Sequence, residues 1–216
     1  MKRGILTVPA AMTIALTWAA AASAGGWSLG GFGGMGLPTG DFASAGLTQA
    51  GLGYQFGFDV LYHLDGVWAL GVDLGYVKNP HGAEGTSIDL GGGDRYTLDS
   101  DKFTTVQFGV HARATLPGSG PLRYHGLLGI GSYRTKEEYE ETYLLSGVPT
   151  TLTGETEAQS GFGIRFGAGA LYALNAMWGV GVDVDYHLVA EDEEDDLGIS
   201  SLQYLGVKGV VRFTIP

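Results

Sequence analysis

The chain has 216 residues, no cysteine, 12 Lys and Arg against 23 Asp and Glu, and a formal net charge of −11. Without cysteine there is no disulfide, thiol nucleophile or thiolate metal ligand, and the acidic balance argues against nucleic acid as a partner, since a binder needs basic patches to neutralise phosphates. Charged residues make up only 16% and glycine fills 38 positions, whereas an ordinary soluble domain carries about 25% charged residues.

Met1-Lys2-Arg3 is a short basic region, residues 5–22 are apolar and alanine-rich, and Ala22-Ser23-Ala24 fits the small-x-small cleavage pattern. Residues 1–24 therefore read as a secretory signal peptide and 25–216 as one exported domain. The short run, interrupted by Pro9, disfavours a membrane-anchoring helix. Cleavage would remove two of the 12 basic residues and leave ten.

From residue 27 onward, apolar residues recur with a period of two, the pattern of half-buried β-strands. Residues 27–37 predict a glycine-rich first strand with Trp27, Leu29, Met35 and Leu37 on one face, and Phe32 breaks its alternation. Residues 38–50 read as a loop. Residues 51–78 predict a hairpin turning at Leu64-Asp65-Gly66. Its even positions are apolar or aromatic, from Leu52 and Tyr54 to Val72 and Tyr76, and its odd positions are mostly glycine with Asp59 and Asp73. Residues 79–101 read as a polar loop in which Gly91-Gly92-Gly93-Asp94 is a flexible stretch, because calcium-binding glycine-aspartate motifs need stacked repeats.

A fourth strand over 104–116 is followed by the turn 117–121, and a fifth runs over 122–134. Residues 137–157 read as an acidic loop, 161–172 as the sixth strand, 174–176 as a turn and 178–188 as the seventh strand. An acidic run at 191–196 precedes the eighth strand, which ends with Phe213 and Ile215. The connections thus alternate long and short through eight strands, with no helical period after residue 24. The fold class is all-β.

Two barrels share this pattern. A soluble barrel points its apolar face inward, whereas a transmembrane barrel points it at lipid. The polar face is too rich in glycine and too poor in charge to meet bulk water, and glycine suits a narrow interior. Trp27, Tyr62, Trp68, Tyr124, Tyr172, Trp178 and Phe213 all fall beside a terminus or a short turn, forming one aromatic girdle at one barrel end. Strands of about 11 residues also cover the hydrocarbon thickness. An eight-stranded antiparallel up-and-down transmembrane β-barrel is the expected architecture.

With its glycine-rich first strand running into Leu37-Pro38-Thr39-Gly40-Asp41-Phe42, the chain resembles the eight-stranded outer-membrane β-barrel superfamily of the OmpA transmembrane domain, OmpX and OmpW. The resemblance implies a bacterial outer-membrane location, periplasmic termini, short periplasmic turns and long external loops. The chain departs from the family's usual aromatic last residue, ending Phe213-Thr214-Ile215-Pro216.

Asp59, His63, Asp73, His111, Arg113, Arg123, His125, Arg165, Asp183, Asp185, His187, Lys208 and Arg212 share the predicted lumen face. Unpaired charges in a narrow interior are costly, so an ion-pair network is expected. By height from the periplasmic end, Arg165 should meet Asp185 and Lys208 should meet Asp183. Asp59 and Asp73 would repel unless Arg165 or His111 reaches them from across the barrel.

The expected role is a non-enzymatic structural or envelope-interaction protein with a plugged lumen, monomeric, in contact with outer-membrane lipids and lipopolysaccharide, its loops open to an extracellular ligand. No cofactor and no metal site are expected. Carboxylates of 137–141 and 191–196 could nevertheless bridge through divalent cations to lipopolysaccharide phosphates. The alternative is a narrow OmpW-like channel or carrier for small molecules. An outer-membrane hydrolase comes third: Asp183, Asp185 and His187 share one strand face, but the proteases this resembles place an acidic pair and an Asp-His pair on opposite walls of ten-stranded barrels.

Overall fold

Residues 25–44, 50–80, 87–191 and 201–215 are described in the computed structural model of the chain. The expected signal peptide and residues 192–196 of the acidic run lie outside the described residues. The strands are β1 (Trp27–Thr39), β2 (Gly53–His63), β3 (Trp68–Pro80), β4 (Ser87–Gly91), β5 (Asp94–Thr115), β6 (Leu122–Leu145), β7 (Val148–Glu155), β8 (Gln159–Ala173), β9 (Trp178–Glu191) and β10 (Ser201–Ile215), with one helical turn, α1 (Asp41–Ser44).

Eight of these strands close a barrel. Neighbours pair antiparallel in the order β1-β2-β3-β5-β6-β8-β9-β10, and β10 returns to β1 with Trp27 opposite Ile215 and Thr39 opposite Gln203. Closure leaves no unpaired sheet edge in the wall. Leu29, Met35, Phe56, Phe58, Leu128 and Ile130 point outward and are exposed. Burying that apolar surface requires lipid, because the interior is already filled by the other face. Phe32, which broke the alternation, points inward, and the Lys208 ammonium lies 4.6 Å from its ring centre. The lumen thus gains an aromatic wall where its neighbours are glycines.

The segments 79–101 and 137–157, expected as loops, are mostly strand. β5 and β6 continue past the barrel as a pair up to Arg95 opposite Leu144, and β4 and β7 flank them as a four-stranded extension. Their apolar alternation is short, Ile88 and Leu90 in β4 and Tyr96 and Leu98 in β5, and is cut off by charged residues; their Thr and Tyr content and the continued pairing of β5 with β6 carry them. Gly92 and Gly93 have φ of +66° and +90°, and Ser146 and Gly147 have +52° and +81°. Two successive residues with positive φ make the tight hairpin turn whose twist matches flanking strands. Gly91-Gly92-Gly93-Asp94 is therefore a hairpin turn rather than a flexible stretch.

At the other end, the β2–β3 and β8–β9 turns are built alike. Asp65 Oδ1 accepts hydrogen bonds from the amides of Val67 and Trp68 (both 2.7 Å), and Asn175 Oδ1 from those of Met177 (2.8 Å) and Trp178 (2.9 Å). The hydrogen bonds from Trp68 and then Val67 hold the exposed Asp65 carboxyl below its ordinary pKa.

Candidate functional site

The lumen is arranged in layers. Nearest the short turns, Asp59 of β2 accepts a hydrogen bond from Arg212 Nη2 of β10 (2.8 Å), and Arg113 of β5 lies 4.0 Å away. Arg113 also donates to Asp183 of β9 (3.2 Å), which His125 Nε2 approaches at 3.0 Å. Ser28 and His63 complete this layer at 2.9 Å.

Above it, Arg165 reaches from β8 across to Asp73 of β3 through two hydrogen bonds of 2.9 and 2.8 Å. Gln107 Nε2 donates to the same carboxylate (2.9 Å), and Tyr204 donates to Gln107 Oε1 (2.6 Å). His111 Nδ1 lies 3.0 Å from both Asp73 Oδ1 and Arg165 Nη2, so it can donate to the first or accept from the second, not both. Lys208 Nζ donates to Asp185 at 2.5 Å, and His187 stacks on Tyr204 with ring centres 4.2 Å apart.

One expected pairing changes and one is loosened, while Arg165 and His111, the two groups expected to relieve the neighbouring acids, both reach Asp73. Lys208 stands directly opposite Asp183 in the β9–β10 register, yet its ammonium goes to Asp185, and Asp183 turns to Arg113 and His125. Arg165 lies 3.8 Å from Asp185, but its two strong bonds go to Asp73. Both changes have one cause: an eight-stranded lumen is narrow enough for an arginine to span it, so the nearest strand does not choose the partner. The neighbouring Asp59 and Asp73, opposite each other in register, avoid repulsion by turning to different arginines. Arg123 is exposed at the rim rather than enclosed.

Among the described residues, the enclosed charges are then four carboxylates, Asp59, Asp73, Asp183 and Asp185, against Arg113, Arg165, Lys208 and Arg212, each 6% exposed or less. Each of these except Arg113 faces a glycine across the strand pair. Gly30 stands opposite both Asp59 and Arg212, Gly206 opposite Asp185, Gly169 opposite Asp183, Gly129 opposite Arg165, Gly109 opposite Asp73 and Gly34 opposite Lys208. The glycines supply the room that long side chains need in so narrow a tube. A cavity of about 20 Å³ remains between Asp59, Arg113, Asp183 and Arg212, room for about one water.

Sequence reasoning missed a further layer. α1 folds inward and buries Phe42 (1% exposed) against Phe103, with ring centres 5.3 Å apart at 74°. Val77, Tyr133, Val189, Leu202 and Tyr204 join them as an apolar cap over the ion pairs. Inward-facing Val77, Phe103 and Val189 in strands whose other inward positions are polar or small were the available signal.

The seven predicted girdle residues occupy the short-turn end, with Trp27 on Tyr62 and Trp178 on Phe213, both 4.9 Å between ring centres. A second band, not anticipated, lies higher: Phe56 packs between Tyr54 and Tyr76, and Phe166 contacts Tyr186. Tyr54 and Tyr62, Trp68 and Tyr76, and Trp178 and Tyr186 are each eight residues apart. At about 3.3 Å per residue and a tilt near 40°, the bands stand roughly 20 Å apart, close to the height of a transmembrane barrel's apolar belt.

The acidic residues of β6 do not gather. Glu138 pairs with Lys136 (2.8 Å) and Lys78 (3.5 Å), while Glu141 accepts from Tyr96 (3.0 Å) and Tyr143 (3.1 Å). Hydrogen bonding from Lys136 lowers the Glu138 pKa, and the same bond raises that of Lys136. Among the described residues no cluster of carboxylates and histidines could hold a metal ion.

Neisserial surface protein A shares this fold over 88% of the chain and 97% of its own, with a TM-score of 0.50 and 12% identity. A major outer membrane protein of Thermus thermophilus does so over 89% of the chain and all of its own, with a TM-score of 0.50 and 13% identity. No curated protein matches the sequence. The sequence profile of the outer membrane protein beta-barrel domain matches residues 6–207. With its closed eight-stranded wall and its apolar outer face, the chain belongs to the outer membrane protein beta-barrel domain family.

Proposed function

We propose that the protein is a non-enzymatic structural barrel of the outer membrane, closed to solutes, with both described ends of the barrel wall at the periplasmic side and the β4–β7 extension as its external interaction surface. The observation that carries this reading is the doubly closed lumen: four carboxylates matched by four basic groups, with the Phe42 cap above them. Each layer alone would obstruct a solute, and the cavity beside Asp59 and Arg113 has room for about one water.

The triplet Asp183, Asp185 and His187 supports the same view. His187 is fully buried, its Nδ1 2.9 Å from the Tyr133 hydroxyl, and both carboxylates are engaged by bases. A water-activating pair needs access to substrate, which this position does not offer. Conductance in planar bilayers tests the reading. Wild-type protein is expected to be silent, and discrete conductance steps from it would replace the closed barrel with a narrow channel.

A further inference from the structure

Basic residues are scarce in 25–216, and their placement is uneven. Arg113, Arg165, Lys208 and Arg212 are enclosed in the lumen. Of the rest, Lys78, Lys102, Arg134 and Lys136 converge on the outward face of one wall, β3-β5-β6. Lys78 stands opposite Thr104, Thr104 opposite Lys136, Lys102 opposite Pro80, and Val106 opposite Arg134, so all four fall within three successive cross-strand rows. Strands are about 4.8 Å apart, which places Lys78 and Lys136 about 10 Å from one another.

Their height matters as much. Counted from the short-turn end, these residues lie two to six positions beyond the upper aromatic band, about 5–15 Å along the axis. That is the zone of lipid headgroups and the sugars above them. At comparable heights the other strands present uncharged residues outward, among them Thr39, Ser160, Leu188 and Gln203. Glu138 offsets part of the cluster through Lys78 and Lys136, and Glu155 through Lys136, whereas Lys102 and Arg134 have no ion pair among the described residues.

We propose that this wall binds the phosphorylated sugar headgroup of an anionic outer-leaflet lipid, the apolar belt below it holding the acyl chains. Charge complementarity and continuity with the lipid-facing surface select that occupant. Arginine can grip a phosphate with two parallel hydrogen bonds, and lysine adds point charge at an anionic surface. The direction of recognition is thus opposite to cation bridging by acidic loops: the protein supplies the positive charge itself. The proposal rests on the barrel standing in an outer membrane.

The full chain, refolded into phosphatidylcholine nanodiscs with a minority of lipid A, provides the test, with dephosphorylated lipid A as the matched control. Retained lipid is counted by native mass spectrometry. Wild type should retain the phosphorylated form preferentially and lose that preference in high salt. Lys102→Ala with Arg134→Ala should lower retention roughly 25-fold, at about fivefold per basic side chain. Equal retention of both lipid forms by wild type, salt-independent preference, or unchanged preference in the double variant would overturn the proposal. Because the salt and dephosphorylation arms use wild type alone, misfolding of the variant leaves the test intact. Wild type that fails to insert in either disc would instead sink the barrel reading.

Discussion

Arg165 spans the lumen from β8 to clasp Asp73 on β3 with both guanidinium nitrogens, at 2.9 and 2.8 Å. Removing one partner of a buried pair strands the other charge and typically costs about 3–5 kcal/mol, while replacing both with apolar groups is often close to neutral. Arg165→Ala is therefore expected to lower stability by about that amount in urea unfolding from lipid vesicles. Asp73→Leu combined with Arg165→Met should recover much of the loss, and an additive double variant would contradict the coupling.

The inward glycines make a second, sharper prediction. A Cβ at Gly167 would come within 2.5 Å of the Val184 carbonyl oxygen and 2.8 Å of the Asp185 Cα, backbone atoms that cannot swing aside, whereas one at Gly31, on the lipid side, meets nothing within 4 Å. Gly167→Ala should destabilise the barrel by about 1–3 kcal/mol through overpacking. Gly31→Ala should be neutral or slightly stabilising. Parallel unfolding curves for the two variants check both halves of the statement.

Asp65 and Asn175 hold equivalent turns with one oxygen each. Because the folded pKa of Asp65 is depressed, its contribution to stability is present above the ordinary carboxylate value of about 3.9 and fades as pH falls through the folded value. Asp65→Asn should keep the turn, as Asn175 does, and remove that acid-side loss. The check is the difference in unfolding midpoint between variant and wild type, which should shrink towards acid pH.

Phe42 and Arg165 close the lumen in series. Phe42→Ala should open the upper cap without conductance, since the ion pairs below remain, and Arg165→Ala should likewise stay closed beneath Phe42. Because the Asp59–Arg212 and Arg113–Asp183 layer still lies below, discrete steps in planar bilayers are expected only when Arg113→Ala is added to the two. Conductance from Phe42→Ala alone would show that the charged layer does not seal.

Trp27, Trp68 and Trp178 all stand at the short-turn end. In protein covering 25–216, their fluorescence should be quenched more by lipids brominated near the headgroup than by lipids brominated at the chain ends. The reverse order would remove the girdle assignment.

Period-two alternation was enough to read eight strands, their outer and lumen faces, the short turns and the aromatic residues that stand beside them. Local chemistry determines these: a residue's face follows from counting by twos, and a turn from Asp-Gly or Asn at a strand end. Phe32 looked like an exception only because its face was judged by hydrophobicity, and the lumen accepts an aromatic where an ammonium needs a neighbour.

What the tertiary structure decided is everything that depends on distance across the barrel. Asp73 and Arg165 are 92 residues apart and lie on strands that do not touch, so the chain could offer Arg165 only as one of two cross-barrel candidates, and the closed wall decided how it binds. The β5–β6 extension is held by pairing rather than by an apolar face, the Phe42 cap by a helical turn that folds back into the mouth, and the basic wall by three strands brought into register. Closure made each of these, because joining β1 to β10 turns linear alternation into an inside with a definite width. That width chooses which charges meet.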